Sequence, residues 1–223
     1  MGEIVGAALR VFGRSGFARS KMADVAAEAG VSVGTLYNYV EDKDALLLLC
    51  AAYDLEPAIV EGSLPLTVAS RKAFLVKLRR QLDALAHVPS LDAALARKTP
   101  PADAHAECAE IVGDLFDYVA LTRRGMDALE RSARDVPDVA ALFYDDARIA
   151  LFENLAAYIA LRAKQHRMPM PDDPLVAARF VAESITWMAR HRHGDPDGNK
   201  LDDDVVRHTT IELLTRALTG GTT

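Results

Sequence analysis

Six residues between positions 33 and 39 carry groups able to read a polar polymer: Val33, Gly34, Thr35, Tyr37, Asn38 and Tyr39. Interleaved with them stand Leu36 and Val40, apolar and four residues apart. Residues four apart share one face of a helix. Leu36 and Val40 therefore turn inward, and the hydroxyls, the amide and the two phenol rings turn largely outward. That outward chemistry suits the major groove of DNA. Thr35 and Tyr39 are expected to meet phosphate or base edges, Tyr37 to hold a phosphate through its hydroxyl, Asn38 to read adenine, and Val33 to touch a thymine methyl. Gly34 lets the backbone come close to the duplex.

A reading face needs a mount. Just before it, Val25, Ala26 and Ala29 belong to a short helix spanning about Lys21 to Ala29, and Gly30 allows the positive φ at which that helix stops. Ser32 is a suitable N-cap for the reading helix. Two short helices joined by a tight turn make a helix-turn-helix. Ahead of it, Ile4, Ala7, Ala8, Val11 and Phe12 repeat at i, i+3, i+4, i+7 and i+8, the stripe of an amphipathic helix over about Glu3 to Ser15. Gly16 ends that helix and Phe17 returns to the core. Ser20 is expected to cap the second helix, with Met22 and Val25 on its inner side. Asp42 is placed to cap a fourth helix starting at Lys43 and carrying Leu46 to Leu49, Ala52 and Tyr53, with Pro57, Gly62 and Pro65 marking its end. Ser20, Lys21 and Lys43 are expected to hold phosphates on either side of the reading helix.

These residues carry a family resemblance. The run Ala29-Gly30-Val31-Ser32-x-Gly34-Thr35-Leu36-Tyr37-x-Tyr39 resembles the DNA-binding domain of the TetR family of bacterial transcriptional regulators. So do Ala7-Ala8-Leu9, Val11-Phe12, Gly16-Phe17, Met22, Asp24-Val25-Ala26, Lys43 and Leu46. The resemblance covers residues 4–49. Ser20 stands where the family usually has Thr, Val40 where Phe is usual, and the N-terminus lacks the basic arm of many relatives. The resemblance implies an all-α chain: an N-terminal three-helix helix-turn-helix DNA-binding domain (1–45) and a C-terminal helical bundle for effector binding and dimerisation (46–223). It also implies that the last two helices pair with those of a second subunit, and that a pocket among the middle helices takes a small, mostly apolar effector. Phe116, Met126, Phe152, Trp187 and Met188 are the residues singled out for that pocket, although bulky residues at helical spacing also suit a plain core.

The remaining pattern is helical. Helices are expected from Thr67 or Ser70 to before Pro89 (Phe74, Leu75, Leu78, Leu82, Leu85), over Leu91–Ala96, over about Asp103 to Ala133, over about Asp138 to His166, over about Pro174 to His191, and over about Asp203 to Leu218. In the helix from Pro174, Phe180, Ser184, Trp187 and His191 form one stripe. Leu175, Ala178, Ala182, Ile185 and Ala189 form another. Apolar surface on two sides calls for burial on two sides.

Composition fits this reading. The chain has 223 residues, half of them hydrophobic and only 6% aromatic, which favours packed helices. No run approaches the roughly 20 apolar residues of a membrane span, the N-terminus has no secretion-signal pattern, and Cys50 and Cys108 form no CxxC, so a reduced cytoplasmic protein is expected. The net charge is −6. Residues 1–50 hold five cations against six anions, a net of −1, so a DNA reader must segregate its charges by face and pool two copies. The stretch from His191 to Asn199 imitates the opening of a calcium loop, but Lys200 and Val206 stand where glycine and glutamate are required. It is expected to be a solvated connection without metal. No phosphate loop, nucleophile elbow or HExxH is present, and neither enzymatic activity nor a cofactor is expected. With the family resemblance, these features imply a sequence-specific regulator expected to bind a palindromic double-stranded operator as a homodimer, read as a repressor released by its effector. The alternative class is a helical ligand- or partner-binding protein whose degenerate reader binds no DNA.

Overall fold

The computed structural model describes residues 1–52, 64–86 and 88–220. Tyr53, Pro57 and Gly62 lie outside that set. The helices run in chain order as α1 (Gly2–Ser15), α2 (Met22–Glu28), α3 (Val33–Tyr37), α4 (Lys43–Ala52), α5 (Arg71–Ala86), α6 (Pro89–Ala96), α7 (Ala104–Ala133), α8 (Pro137–Ala140), α9 (Arg148–Lys164), α10 (Pro174–Ala189) and α11 (Asp203–Thr219). Among the described residues there is no strand, only an isolated parallel bridge between Val40 and Leu66. No described helix is long and apolar enough to cross a membrane.

Local chemistry sets most of the ends. Asp42, Asp103, Asp173 and Asp202 each accept an amide of the first turn of the following helix, at 2.7–3.0 Å from Ala45, Ala106, Leu175 and Val205. Pro174 occupies the first helical position of α10, where its missing N–H is no loss. Gly220 closes α11 in the left-handed conformation at φ 72°. Ser70, not Thr67, caps α5, its Oγ accepting from Ala73 N at 3.2 Å.

The single long helix expected from Asp138 to His166 is interrupted. α8 gives way to a π-helical segment over Ala141–Ala147 before α9 begins. Phe143 and Tyr144 make an edge-on ring contact within that segment, centroids 5.0 Å apart.

The chain forms two compact units. The first comprises residues 1–84 and 122–147, the second residues 85–121 and 148–223. The expected division at residue 45 falls inside α4, whose Ala45 to Ala51 are all buried. α7 is shared, contributing Thr122–Ala133 to the first unit and Ala104–Leu121 to the second.

In the first unit α1 lays Ile4, Val5, Ala7, Ala8, Val11 and Phe12 into the core, against α2 and α4. α7 approaches the end of α4 closely: a Cβ on Gly125 would stand 3.1 Å from the Cys50 carbonyl oxygen.

The second unit is built on α6, the first part of α7, α9, α10 and α11, with Leu91, Ile111, Leu115, Phe116, Leu155, Ile159, Val181 and Ile185 at its centre. An ion pair lies among them. Arg162, fully buried, meets both oxygens of Glu107 at 2.6 and 3.0 Å, the Ala94 carbonyl at 2.8 Å and Gln165 Oε1 at 3.0 Å. Glu107 also receives Arg97 at 2.9 Å. A buried charge is tolerable only when so fully satisfied, and this one ties α6, α7 and α9 together.

The connection from α10 to α11 is more ordered than a solvated loop. Two 3₁₀ turns, His191–Gly194 and Gly198–Lys200, wrap the buried Arg192. Its guanidinium donates to the carbonyls of Met188 at 2.7 Å and Leu201 at 3.2 Å, and to the Asp203 carboxylate. Gly198 is required there, because a Cβ would stand 2.9 Å from that of Arg192.

Candidate nucleic-acid interface

The reading helix α3 has five residues. Ser32 caps it as the sequence suggests: its Oγ accepts the Thr35 amide at 3.0 Å and shares a second hydrogen bond, 2.8 Å, with the Thr35 hydroxyl. Gly30 holds φ 67° in the preceding turn. A β-branched residue would resist that conformation.

Beneath the helix, Leu36 and Val40 are completely buried. Val33, Gly34, Tyr37 and Asn38 are exposed; Thr35 and Tyr39 are half-buried. Tyr37, 45% exposed, is the largest apolar surface on the face. The backbone after α3 is held by the bridge, with Leu66 N donating to Tyr39 O at 2.8 Å and Glu41 N to Leu66 O at 2.9 Å.

Two of the flanking residues behave differently from the expectation. Ser20 does not cap α2. It is buried, and its hydroxyl donates to the Gly16 carbonyl at 2.6 Å. The cap position belongs to Lys21, whose amide donates to Asp24 Oδ2 at 2.8 Å. Lys43 is half-buried rather than displayed. Its ammonium donates to the carbonyls of Phe17 at 2.8 Å and Ser20 at 3.0 Å and sits 4.3 Å from the centroid of the Phe17 ring. Partial desolvation pulls its pKa below the ordinary lysine value. Lys43 thereby clasps the segment between α1 and α2 to α4, while the Ser20 hydroxyl ties that segment back to its own start at Gly16. Lys21 stays exposed at the start of α2.

Sequence reasoning also missed how the charges pair. Arg10 and Arg14 converge on Glu28 at 2.7 and 2.5 Å, joining α1 to α2 and holding the Glu28 carboxyl below its usual range. Arg19 lies 3.6 Å from Asp135. The i, i+4 spacing of the two arginines was the available signal; their acidic partner on another helix had none.

The residues singled out for an effector pocket do not share one surrounding. Phe116 is buried in the core of the second unit, and Phe152 and Met188 pack against it. Phe152 is flanked by two guanidiniums, Arg148 at 5.6 Å and Arg179 at 5.4 Å from its ring. Met126 is buried in the first unit. Trp187 corrects the expectation: it is 43% exposed, on the outer side of α10. A cavity of about 270 Å³ in the second unit is lined by Ile159, Pro169 to Pro171, Ala177, Phe180, Val181, Leu214, Ala217 and Leu218. None of the five is among its lining residues.

Comparison with known proteins bears on the reader and on the fold. Residues 4–50 match the family model of bacterial regulatory proteins, tetR family. No curated protein matches the chain. In fold it is similar to the transcriptional regulator FadR from Bacillus subtilis in complex with stearoyl-CoA, at TM-score 0.53 and 14% identity over 97% of this chain and 98% of that one. It is similar to a TetR-like transcriptional regulator from Rhodococcus sp. RHA1, at TM-score 0.53 and 19% identity over 99% and 96%. A third similar fold is a putative transcriptional regulator from Saccharomonospora viridis in complex with choline, at TM-score 0.54 and 18% identity over 97% and 96%. The module at residues 4–50 is thus similar to that of the tetR family of bacterial regulatory proteins, and the helical fold along the chain is shared with these solved regulators.

Proposed function

We propose that the chain reads a near-palindromic DNA operator as a homodimer and represses transcription until a small, mostly apolar effector releases it. The observation that carries the reading is the sidedness of α3: Leu36 and Val40 fully buried, with Val33, Gly34, Tyr37 and Asn38 displayed and Thr35 and Tyr39 at the edge. Tyr37 and Asn38 supply base and phosphate contacts, Val33 an apolar contact, and Lys21 a phosphate contact at the start of α2.

Pairing goes through α10 and α11. Val176, Phe180 and Trp187 on one helix and Val205 and Leu213 on the other are exposed apolar residues, the second side that the sequence pattern wanted covered. A dimer sets two reading helices one turn of DNA, or a multiple of it, apart, and it pools the contacts of an N-terminal segment whose net charge is −1. Residues 1–45 then do the reading, and residues 46–223 pair the subunits and hold the effector. The fold relatives with stearoyl-CoA and choline bound support a ligand-responsive second part. Phe116, Phe152 and Met188 are the lining we assign to it. The effector acts through its unequal affinity for two subunit arrangements.

The test is fluorescence anisotropy on the palindrome beside the chain's own gene, across a salt series. We expect affinity to fall steeply with salt. Tyr37→Ala with Asn38→Ala weakens specific binding by about thirtyfold or more and leaves melting unchanged, because both side chains are exposed. Salt-independent binding, or full binding by the double variant, refutes the reading.

A further inference from the structure

We infer that the exposed face of α5 is a second DNA-contact surface, on which Lys72, Lys77 and Arg80 hold phosphates flanking the base pairs read by α3, whatever their sequence. This rests on the DNA reading proposed above and adds a surface to it. The reader itself is short of positive charge. The chain carries a net −6, and residues 1–50 a net −1. Four of the five cations in that segment are already engaged: Arg10 and Arg14 by Glu28, Arg19 at 3.6 Å from Asp135, and Lys43 by two carbonyls. Lys21 stays displayed. Sequence-independent affinity for DNA comes from neutralising phosphates, and one lysine supplies little of it.

The missing charge stands on α5. Residues 71–80 hold five cations and no acid. Phe74, Leu78 and Leu82 are buried. At 3.6 residues per turn, Lys72, Val76 and Arg80 fall on the opposite side, with Lys77 beside them. Lys72, Lys77 and Arg80 are exposed and make no ion pair among the described residues. Arg79 interacts within the chain, and Arg71 is taken by Asp44 at 2.7 Å and Asp138 at 3.7 Å, so neither is assigned a phosphate. From Lys72 to Arg80 the helix rises about 12 Å, a length over which duplex DNA presents about seven charges. Two exposed acids border the strip, Glu41 at the bridge to Leu66 and Asp83 just past Arg80. The start of α5 is fastened to the reader. Leu66, shortly before the Ser70 cap, exchanges backbone hydrogen bonds with Tyr39 and Glu41, directly after α3, at 2.8 and 2.9 Å. Arg71 ties α5 to Asp44 in the first turn of α4. All of these groups belong to the first unit. This continuity with α3 selects DNA as the partner over an acidic protein or an anionic membrane.

The test is fluorescence anisotropy of the full chain on a long random-sequence duplex and on the operator, across a salt series. Each phosphate contact contributes about 0.9 to the slope of log K against log salt. Combining Lys72→Gln, Lys77→Gln and Arg80→Gln should make the slope of the dimer shallower by between about 1.8, for one residue on each subunit, and about 5.4, for all three. Glutamine is a good helix former and the sites are exposed, so melting stays at the wild-type temperature. The triple variant lowers affinity for operator and random duplex by the same factor, because phosphate contacts carry no sequence information. Lys72→Arg with Lys77→Arg keeps the wild-type slope. A triple variant whose slope changes by less than about 1.8 overturns the surface; if it then also loses binding to phosphatidylserine vesicles, the face belongs to a membrane. Steep salt dependence in the wild type leaves the DNA reading standing in either case. A wild-type chain that binds neither duplex overturns both.

Discussion

Replacing Lys43 with methionine separates a clasp from a phosphate contact. The methionine keeps most of the aliphatic stem over Phe17 but removes an ammonium that donates at 2.8 Å to Phe17 O and 3.0 Å to Ser20 O. Hydrogen bonds from a charged donor contribute about 1.5–3 kcal/mol each when buried. Lys43 is half-buried, so the low end applies to both, and the desolvation of the ammonium is recovered on substitution. The net loss is about 2 kcal/mol. In a chain of this size that lowers the melting temperature by roughly 4–8 °C. The substitution also loosens the segment leading into α2, so DNA affinity falls. The diagnostic lies in the salt dependence. Each phosphate contact contributes about 0.9 to the slope of log K against log salt, so two lysines lost from a dimer would make the slope shallower by about 1.8. A clasp predicts parallel lines, displaced but of equal slope. Thermal melts and anisotropy titrations on a non-specific duplex measure both quantities. An unchanged melting temperature with a slope shallower by about 1.8 refutes the clasp and restores the phosphate role.

Two further outcomes follow from the charges. Glu107→Gln leaves the fully buried Arg162 facing a neutral amide and should destabilise the chain by about 3–5 kcal/mol, read by urea unfolding; a loss under about 1 kcal/mol would show that the pair contributes little. Glu28, whose pKa the two arginines lower from 4.5, contributes stability that is fully present above the unfolded value and lost as pH falls through the folded one. Glu28→Gln should therefore melt below wild type at neutral pH, with the gap closing in acid; a gap that persists at pH 2 would sink the assignment.

The reading module was legible because its information is local. A glycine that must take φ 67°, a serine that must cap, and two apolar residues four apart each determine their surroundings within a few positions. The helices of the rest of the chain were legible for the same reason, through their aspartate caps, Pro174 and periodic apolar residues. Roles that depend on long-range partners were not. Lys43 looked like a surface cation until the fold placed two carbonyls from positions 17 and 20 around it. Arg162 and Glu107, 55 residues apart, gave no sequence signal of being a buried pair. Trp187 looked like pocket lining because helical periodicity reports that a stripe is apolar, not what covers it. The sequence alone therefore determined where most helices begin and end, and that Leu36 and Val40 turn inward while the residues between them turn out. Which charges are internal, and that Trp187 faces outward, was decided only when distant helices packed, because burial and ion pairing depend on neighbours remote in the chain.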